Sequence, residues 1–107
     1  MELKDIINET RQKCLVILLS ILDKVTEDDK LYFREVERHV FNFCYHKSIE
    51  RNVIPTWNIL YKNIYINKIR SLYTNLVKNN YVKNNRLLQR VNSREFTPEK
   101  LVSMSPN

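Results

Sequence analysis

The sequence predicts an all-α fold, a three-helix bundle followed by short C-terminal helices, in a single domain over residues 1–107. No glycine occurs in the chain, so the glycine-containing turns that usually connect hairpin strands are missing. The apolar residues recur at spacings of three and four, the period of an amphipathic helix. With 107 residues, of which 43% are hydrophobic, the chain can bury one modest core but cannot enclose a large substrate.

The first two predicted helices are separated by a helix-start signal at Thr26. The apolar stripe of the first helix extends over about six turns and consists of Leu3, Ile7, Thr10, Cys14, Leu18, Ile21 and Val25. Thr26 and the acidic residues after it, including Asp28 and Asp29, suit a helix N-terminus because they accept amide hydrogen bonds and favour the positive end of the dipole. The second helix is predicted to run from there to about Tyr45. Its apolar positions are Tyr32, Phe33, Val36, Val40, Phe43 and Cys44.

The third predicted helix begins near Trp57, after a break around residues 46–55. Pro55 disfavours a helical conformation at the residue before it, and Thr56 can cap the helix that follows. The stripe that we expect to pack is formed by Trp57, Tyr61, Ile64, Tyr65, Ile69, Leu72 and Leu76. Basic residues off this stripe are expected to face solvent.

Two shorter helices are predicted after the third. The asparagine-rich residues 78–86 favour turns over helix, so we expect a loop there. The apolar residues of the short helix that follows are Leu87, Leu88 and Val91. A second helix start has Thr97 as N-cap and Pro98 at the first helical position, and we expect Phe96 to pack against Leu101.

The charge of the chain is distributed unevenly. Its 18 Lys and Arg residues and 12 Asp and Glu residues give a net charge of +6. Residues 1–50 contain 8 basic and 10 acidic side chains, whereas residues 51–107 contain 10 basic and 2 acidic ones, so the second half has a net charge of +8. Such a basic surface attracts an anionic partner, either nucleic acid or the acidic face of a protein.

The sequence contains no pattern that is typical of a catalytic site or a metal site. Without glycine, the phosphate-binding loops of nucleotide-binding enzymes are excluded. Two histidines, His39 and His46, and two cysteines, Cys14 and Cys44, follow no common zinc-ligand spacing. We therefore expect core cysteines, with no metal and no cofactor in this chain. The serine, histidine and aspartate residues have no spacing typical of a nucleophilic triad, and we predict that the chain is not an enzyme.

Tyrosines interleave with basic residues in the third predicted helix, which has two interpretations. Tyr61, Tyr65 and Tyr73 could stack on nucleic-acid bases while neighbouring cations bind phosphates. They could instead belong to the packed core beside a solvated basic face. We favour the core interpretation because Tyr61 and Tyr65 lie on the packing stripe.

The N-terminus and the longest apolar run predict where the chain resides. The N-terminal residues lack the basic and apolar pattern of a signal peptide, and the apolar run at residues 15–22 is too short to span a bilayer. We therefore expect an intracellular protein without a membrane segment.

Several short motifs in order along the chain match the pattern of one known protein family. In the first two helices the matching residues are Asp5, Arg11, Lys13, Cys14, Glu37 and Val40. In the third helix, where the match is most specific, they are Tyr65, Lys68, Arg70, Ser71, Asn75, Leu76 and Lys78. Toward the C-terminus they are Arg86, Leu87, Leu88, Val91, Phe96, Thr97, Pro98, Glu99, Met104 and Ser105. Together these residues resemble the central domain of transcription elongation factor S-II (TFIIS). The family's proline after the third helix is absent, and residues 92–94 replace its glycine, so the departures from the family pattern lie in the loops.

The resemblance implies a helical domain that docks an elongation factor onto DNA-dependent RNA polymerase, at the jaw of the largest subunit. In such factors a C-terminal zinc ribbon, absent from this chain, rescues backtracked polymerase by promoting transcript cleavage. The chain ends on a helix-start signal at Ser105 and Pro106, so we expect a fragment of a longer protein that binds zinc only in that ribbon. The composition and layout also resemble shortened factors of large DNA viruses. Such a factor would work in the host cytoplasm or virion, and a cellular one in the nucleus.

The cations on or beside the family motif of the third helix are the predicted polymerase-docking residues. They are Lys68, Arg70, Lys78, Lys83, Arg86 and Arg90. Arg70 is the principal candidate because a guanidinium can hold a carboxylate through two parallel hydrogen bonds; the alternative is that it is paired inside its own bundle. Two other functions stay open: a stand-alone basic module that binds nucleic-acid backbone, and a polymerase-docking domain of a regulator that does not stimulate cleavage.

Overall fold

The computed structural model describes residues 3–22, 24–52, 57–81 and 86–104, and the side chains within these ranges except at 78–81 and 86–88. Within these ranges the chain forms five helices and no strands, so the all-α prediction is confirmed. The helices are α1 (Leu3–Leu19), α2 (Glu27–Glu50), α3 (Ile59–Tyr81), α4 (Arg86–Asn92) and α5 (Pro98–Met104). None of them combines the length and apolar character needed to cross a membrane.

Helix α2 is the central element of the bundle. It packs against α1, α3 and α5, while α3 also contacts α1 and α4. The predicted apolar stripes supply the core, in which Leu18, Phe33, Val36, Val40 and Tyr65 have no exposed surface. Burying these side chains is the main favourable contribution to folding, since each stabilises the fold by about 1.5–3 kcal/mol.

Helix α1 is shorter than its predicted six turns, because it ends at Leu19 instead of continuing to Val25. After its last residue the amides of Ile21 and Leu22 donate to carbonyls three residues back, which tightens the chain into a turn. Val25 is consequently 38% exposed. The spacing of apolar residues could not reveal that α1 ends at Leu19, because Ile21 and Leu22 pack against the core even though they lie outside the helix.

Helix α2 begins as predicted and ends later. The Asp29 amide donates to Thr26 Oγ1 at 3.1 Å, and the Thr26 amide donates to Asp29 Oδ2 at 3.0 Å, which completes a reciprocal capping box. The helix continues past Tyr45 to Glu50. It stops where Asn52 adopts a φ of 58°, a left-handed conformation that asparagine tolerates better than most residues.

Both ends of α3 differ from the prediction. Its first turn is capped by Asn58, whose Oδ1 accepts a hydrogen bond from the Tyr61 amide at 3.0 Å. The predicted cap Thr56 lies outside the described residues. At the other end the helix continues to Tyr81 and α4 begins at Arg86, so the predicted loop at 78–86 is wrong for its first four residues and for its last. The low helix propensity of asparagine, a few tenths of a kcal/mol, is overridden where a packed helix is already formed; residues 82–85 lie outside the described residues.

The two C-terminal helices form as predicted and are joined by a turn that lacks the usual glycine. The Glu95 amide donates to the Arg90 carbonyl, and the Arg94 amide to the Val91 carbonyl, which is the bond pattern of a Schellman motif. Arg94 therefore takes a φ of 60° at the position where glycine is normally found. Helix α5 starts with the predicted cap, since Thr97 Oγ1 accepts from the Lys100 amide at 3.2 Å. Phe96 and Leu101 are both buried.

Candidate functional site

An open groove of about 560 Å³ lies between one face of α2 and one face of α3. We call it the basic groove. It is lined by Phe43, Lys47, Arg51, Ile64, Asn67, Lys68, Arg70, Ser71, Thr74 and Asn75. The lining residues of α2 recur every four positions and most of those of α3 recur every three or four, so each helix presents one continuous face to the groove.

The charges that line the basic groove all have one sign. Lys47 and Arg51, the C-cap residue, come from α2, and Lys68 and Arg70 come from α3, whereas no carboxylate lines the groove. Glu50, which does not line the groove, forms an ion pair with Lys47, with 3.6 Å between Oε1 and Nζ. Among the described residues, no carboxylate lies within ion-pair distance of Arg51 or Arg70, which are both exposed. The groove is therefore a concentration of positive charge that an anion can neutralise.

Lys68 lies at the floor of the groove and not on its outer surface. Its side chain is only 2% exposed, and its Nζ lies 4.3 Å from the centroid of the Phe43 ring. Burial lowers the pKa of Lys68, and the neighbouring charge of Lys47 lowers it further. The expectation that Lys68 faces outward is wrong, because packing α2 against α3 covers the position with Phe43.

The other predicted docking residues are placed differently from one another. Arg70 is exposed on the groove wall, and no ion pair within the described bundle engages it, contrary to the paired alternative. Arg90 is also exposed, but it forms an ion pair of 2.8 Å with Glu95 and lies over the Phe96 ring at 4.5 Å. The predicted docking residues whose side chains lie outside the described part are Lys78, Lys83 and Arg86.

Lys47 and Arg51 are site residues that sequence reasoning missed. Both lie in the break that was predicted around residues 46–55, between the second and third helices, so neither was considered as part of a helix face. A signal was available, because the two residues are four positions apart and so share a helix face. What the sequence could not show is that this face lies opposite the basic face of α3.

A second cluster of charged and polar residues is buried between α1, α2 and α3, and we call it the interior network. Arg11 binds Glu37 through two nitrogens, with Nε–Oε2 and Nη2–Oε1 distances of 2.8 Å. The Tyr65 hydroxyl donates to Glu37 Oε2 at 2.9 Å, and the Arg11 guanidinium lies 4.0 Å from the Phe41 ring centroid. Glu37 is only 7% exposed, so this carboxylate connects three helices within the core.

The cysteines and tyrosines belong to the core. Cys14 and Cys44 are unbridged and buried, and burial raises the pKa of both thiols, that of Cys44 to about 12. Tyr61 and Tyr65 are also buried, so neither ring can stack on a nucleic-acid base, which confirms the core interpretation for these two. Tyr73 is 37% exposed. Within the described ranges, no three His, Cys, Asp or Glu residues are grouped so as to hold a metal ion.

Asp28 and Asp29 have a role beyond starting α2. Arg94 Nη2 lies 2.8 Å from Asp28 Oδ2 and 2.7 Å from Asp29 Oδ1. The Arg94 guanidinium also lies 4.3 Å from the centroid of the Tyr32 ring, and the Tyr32 hydroxyl donates to the Phe96 carbonyl at 3.0 Å. These contacts hold the segment between α4 and α5 against the beginning of α2. They compensate for the left-handed backbone of Arg94, which costs about 1 kcal/mol.

Comparison with models of protein families matches residues 6–107 to transcription factor S-II (TFIIS), central domain. The chain belongs to this family. No curated protein and no solved structure gave a significant match. The structure separates the TFIIS motif residues into two groups. Arg11, Cys14, Glu37 and Tyr65 are buried or half-buried around the interior network, whereas Arg70 lies in the basic groove. The chain is accordingly a domain of a transcription elongation factor.

Proposed function

We propose that this TFIIS central domain docks its elongation factor onto DNA-dependent RNA polymerase, at the jaw of the largest subunit. The observation that carries the proposal is Arg70, an exposed guanidinium without an ion pair among the described residues, in a domain of the TFIIS family. An exposed arginine of this kind can bind a carboxylate of a partner through two hydrogen bonds without first breaking an internal pair.

The rest of the charge distribution supports an acidic partner surface. Lys47 and Arg51 add their charges to Arg70 on the same groove, and Lys83 and Arg86 follow α3 in the sequence. Association between complementary charged surfaces is steered by long-range attraction and weakens as salt screens it. We therefore expect polymerase binding to weaken steadily with ionic strength.

The proposal assigns docking, and not chemistry, to this domain. Transcript cleavage in a backtracked complex would be promoted by a zinc ribbon in the same protein, which the docked domain positions. Whether such a ribbon is joined to this domain would separate a cleavage factor from a regulator that only docks. The chain alone is expected to bind polymerase and to leave the transcript of a stalled complex intact.

A double charge reversal tests the docking proposal. Replacing Arg70→Glu together with Arg86→Glu should abolish capture of RNA polymerase in a pulldown, because attraction to an acidic surface becomes repulsion. The control is Arg34→Glu with Lys62→Glu, which makes the same charge change at two exposed positions outside the groove. It should retain capture. Helical circular dichroism and the thermal midpoint should stay nearly unchanged in both. Polymerase capture equal to that of the parent by the Arg70 and Arg86 variant would contradict the proposal.

Direct binding of nucleic-acid backbone is a second candidate, supported by the net charge of +8 over residues 51–107. Under the docking proposal, duplex DNA should bind weakly and without sequence preference. Duplex binding that is tighter than polymerase capture, or selective for a sequence, would favour the nucleic-acid function instead.

A further inference from the structure

The basic groove differs from an ordinary basic surface patch in having cations on both walls and at its floor. Lys47 and Arg51 line it from α2, Arg70 lines it from α3, and the Lys68 ammonium group lies buried between them. A flat basic patch can be matched by any anionic surface. A recess of about 560 Å³ is matched best by charged groups on flexible stems, which can reach its walls from several directions.

Apolar atoms line the same recess. Phe43 and Ile64 are half-buried and lie among the cations, together with the polar side chains of Asn67, Ser71 and Asn75. A ligand that fills the groove would therefore gain from burying an apolar group as well as from neutralising charge. This combination is characteristic of peptide recognition, in which anchors of both kinds alternate along an extended or helical segment.

We propose that the basic groove is a receptor for an acidic polypeptide segment, whose carboxylates bind Lys47, Arg51 and Arg70 while one apolar side chain contacts Phe43 and Ile64. This inference rests on the proposed docking function and names the chemistry of the polymerase surface that the domain recognises. It adds α2 to a docking site that the sequence placed on and beyond α3 alone.

Nucleic acid fits this recess less well than a peptide does. Single-stranded nucleic acid binds such grooves by stacking bases on exposed aromatic faces. The Phe43 ring has one face occupied by the Lys68 ammonium group at 4.3 Å, and Tyr61 and Tyr65 are buried in the core. Duplex DNA is a stiff, wide cylinder, whose phosphates can contact the exposed walls of the groove but not the buried Lys68 at its floor. The aromatic platform that a nucleic-acid strand needs is not offered here.

The test compares two variants that lose the same charge. Lys47→Gln with Arg51→Gln removes both α2 cations of the groove. The control, Arg34→Gln with Lys62→Gln, removes two exposed cations from the opposite faces of the same helices. Arg34 precedes Phe43 by nine residues and Lys62 precedes Ser71 by nine, about two and a half helical turns in each case. A third variant, Thr74→Trp, fills the groove from its exposed lining without changing charge.

Three probes are used. The first is a short fluorescent peptide of Glu and Asp with one central Phe, and the second is the same peptide with Gln in place of Glu and Asn in place of Asp. The third is a single-stranded oligonucleotide. The parent chain should bind the acidic peptide and not its neutral counterpart. Affinity should fall about tenfold in the Lys47 and Arg51 variant, as expected for two lost charge contacts, and clearly in Thr74→Trp. The Arg34 and Lys62 control should bind the acidic peptide within about twofold of the parent.

Three results would overturn the inference. They are an equal loss of affinity in the groove variant and the control, tighter groove-dependent binding of the oligonucleotide than of the peptide, and no binding of the acidic peptide by the parent. Polymerase capture by the same variants separates this inference from the docking proposal. If the Lys47 and Arg51 variant and Thr74→Trp both capture polymerase like the parent while the Arg70 and Arg86 reversal abolishes capture, docking depends on Arg70 and Arg86 alone, and the inference that the whole groove is the receptor fails. If the Arg70 and Arg86 reversal also captures polymerase like the parent, the docking proposal itself fails.

Discussion

The interior network and the basic groove are built from the same helices and the same residue types, but their charges are arranged differently. On α2, Glu37 binds Arg11 and Tyr65 within the core, while Lys47, ten residues later, lines the groove. On α3, Tyr65 contributes its hydroxyl to the network, and Arg70 reaches the groove wall. Inside, every charge has a partner from another helix, whereas at the groove cations lie together without a lining carboxylate.

This difference separates charges that stabilise the fold from charges that are available to a partner. Removing one member of a buried ion pair leaves the other charge buried without a partner, which destabilises the fold strongly. A charge that is exposed and unpaired contributes almost nothing to stability, so it can be used to recognise another molecule. The residues on which the resemblance to TFIIS rests therefore include some, such as Glu37 and Tyr65, that are buried away from any partner.

Removing the central carboxylate of the interior network should have the largest effect. Glu37→Ala should lower the free energy of unfolding by about 3 kcal/mol, because the Arg11 guanidinium and the Tyr65 hydroxyl would be left without their acceptor. Urea denaturation followed by circular dichroism measures the loss. The control is Glu35→Ala on the same helix, which breaks an exposed pair with Arg38 and should cost under about 1 kcal/mol. Equal losses in the two variants would remove the distinction between paired interior and exposed charges.

The left-handed Arg94 allows its backbone and side-chain contributions to be separated. Arg94→Ala should cost about 2 kcal/mol, since it keeps the strained backbone and loses the ion pairs with Asp28 and Asp29. Arg94→Gly loses the same contacts but relieves the strain, so it should cost about 1 kcal/mol. Thermal and urea unfolding of both variants provide the comparison. If alanine were tolerated better than glycine, the positive φ would not be a source of strain.

Alkaline pH should destabilise the fold through buried groups near the interior network. Burial raises the pKa of Cys44 from 9.0 to about 12 and that of Tyr61 from 10.0 to about 12. The unfolded chain therefore releases these protons first, and stability that is fully present below pH 9 is lost between about pH 9 and 12. One such group changes the free energy of unfolding by at most about 1.4 kcal/mol per pH unit.

Urea denaturation across this range tests the pH dependence. Cys44→Ala should flatten the decline between pH 9 and 10, where the thiol of the unfolded chain titrates, whatever its effect at neutral pH. An unchanged slope in that variant would show that the thiol does not contribute. In the folded parent at neutral pH, both thiols should react with an alkylating reagent only as fast as the chain opens.

Neutralising Arg70 on the groove wall should have the smallest effect on stability. Arg70→Gln should change the free energy of unfolding by less than about 0.5 kcal/mol, because the guanidinium forms no ion pair among the described residues. The same variant should weaken polymerase capture, and rescue by Arg70→Lys should be partial, since an ammonium group cannot form the two parallel hydrogen bonds. A loss of stability near that of Glu37→Ala would place Arg70 with the interior charges instead.

Much of the fold was predictable because the signals are local. A helix stripe depends on residues three and four apart, and a cap depends on a side chain within one turn of the amides that it accepts. The packing residues of α2 and α3, the caps at Thr26 and Thr97, and the family followed from such patterns. Local signals fail where a packed helix overrides weak propensity, as at residues 78–81 of α3.

The sequence by itself determined which faces of the helices are apolar, and the tertiary structure decided what lies opposite the remaining positions. Lys68 is next to the α3 stripe, and only the approach of α2 with Phe43 makes it the floor of a groove. Lys47 and Arg51 join Arg70 for the same reason, and Arg94 reaches Asp28 and Asp29 across more than sixty positions of the chain. Helical periodicity describes one helix at a time, whereas burial and ion pairing depend on the distances between helices, which no local pattern contains.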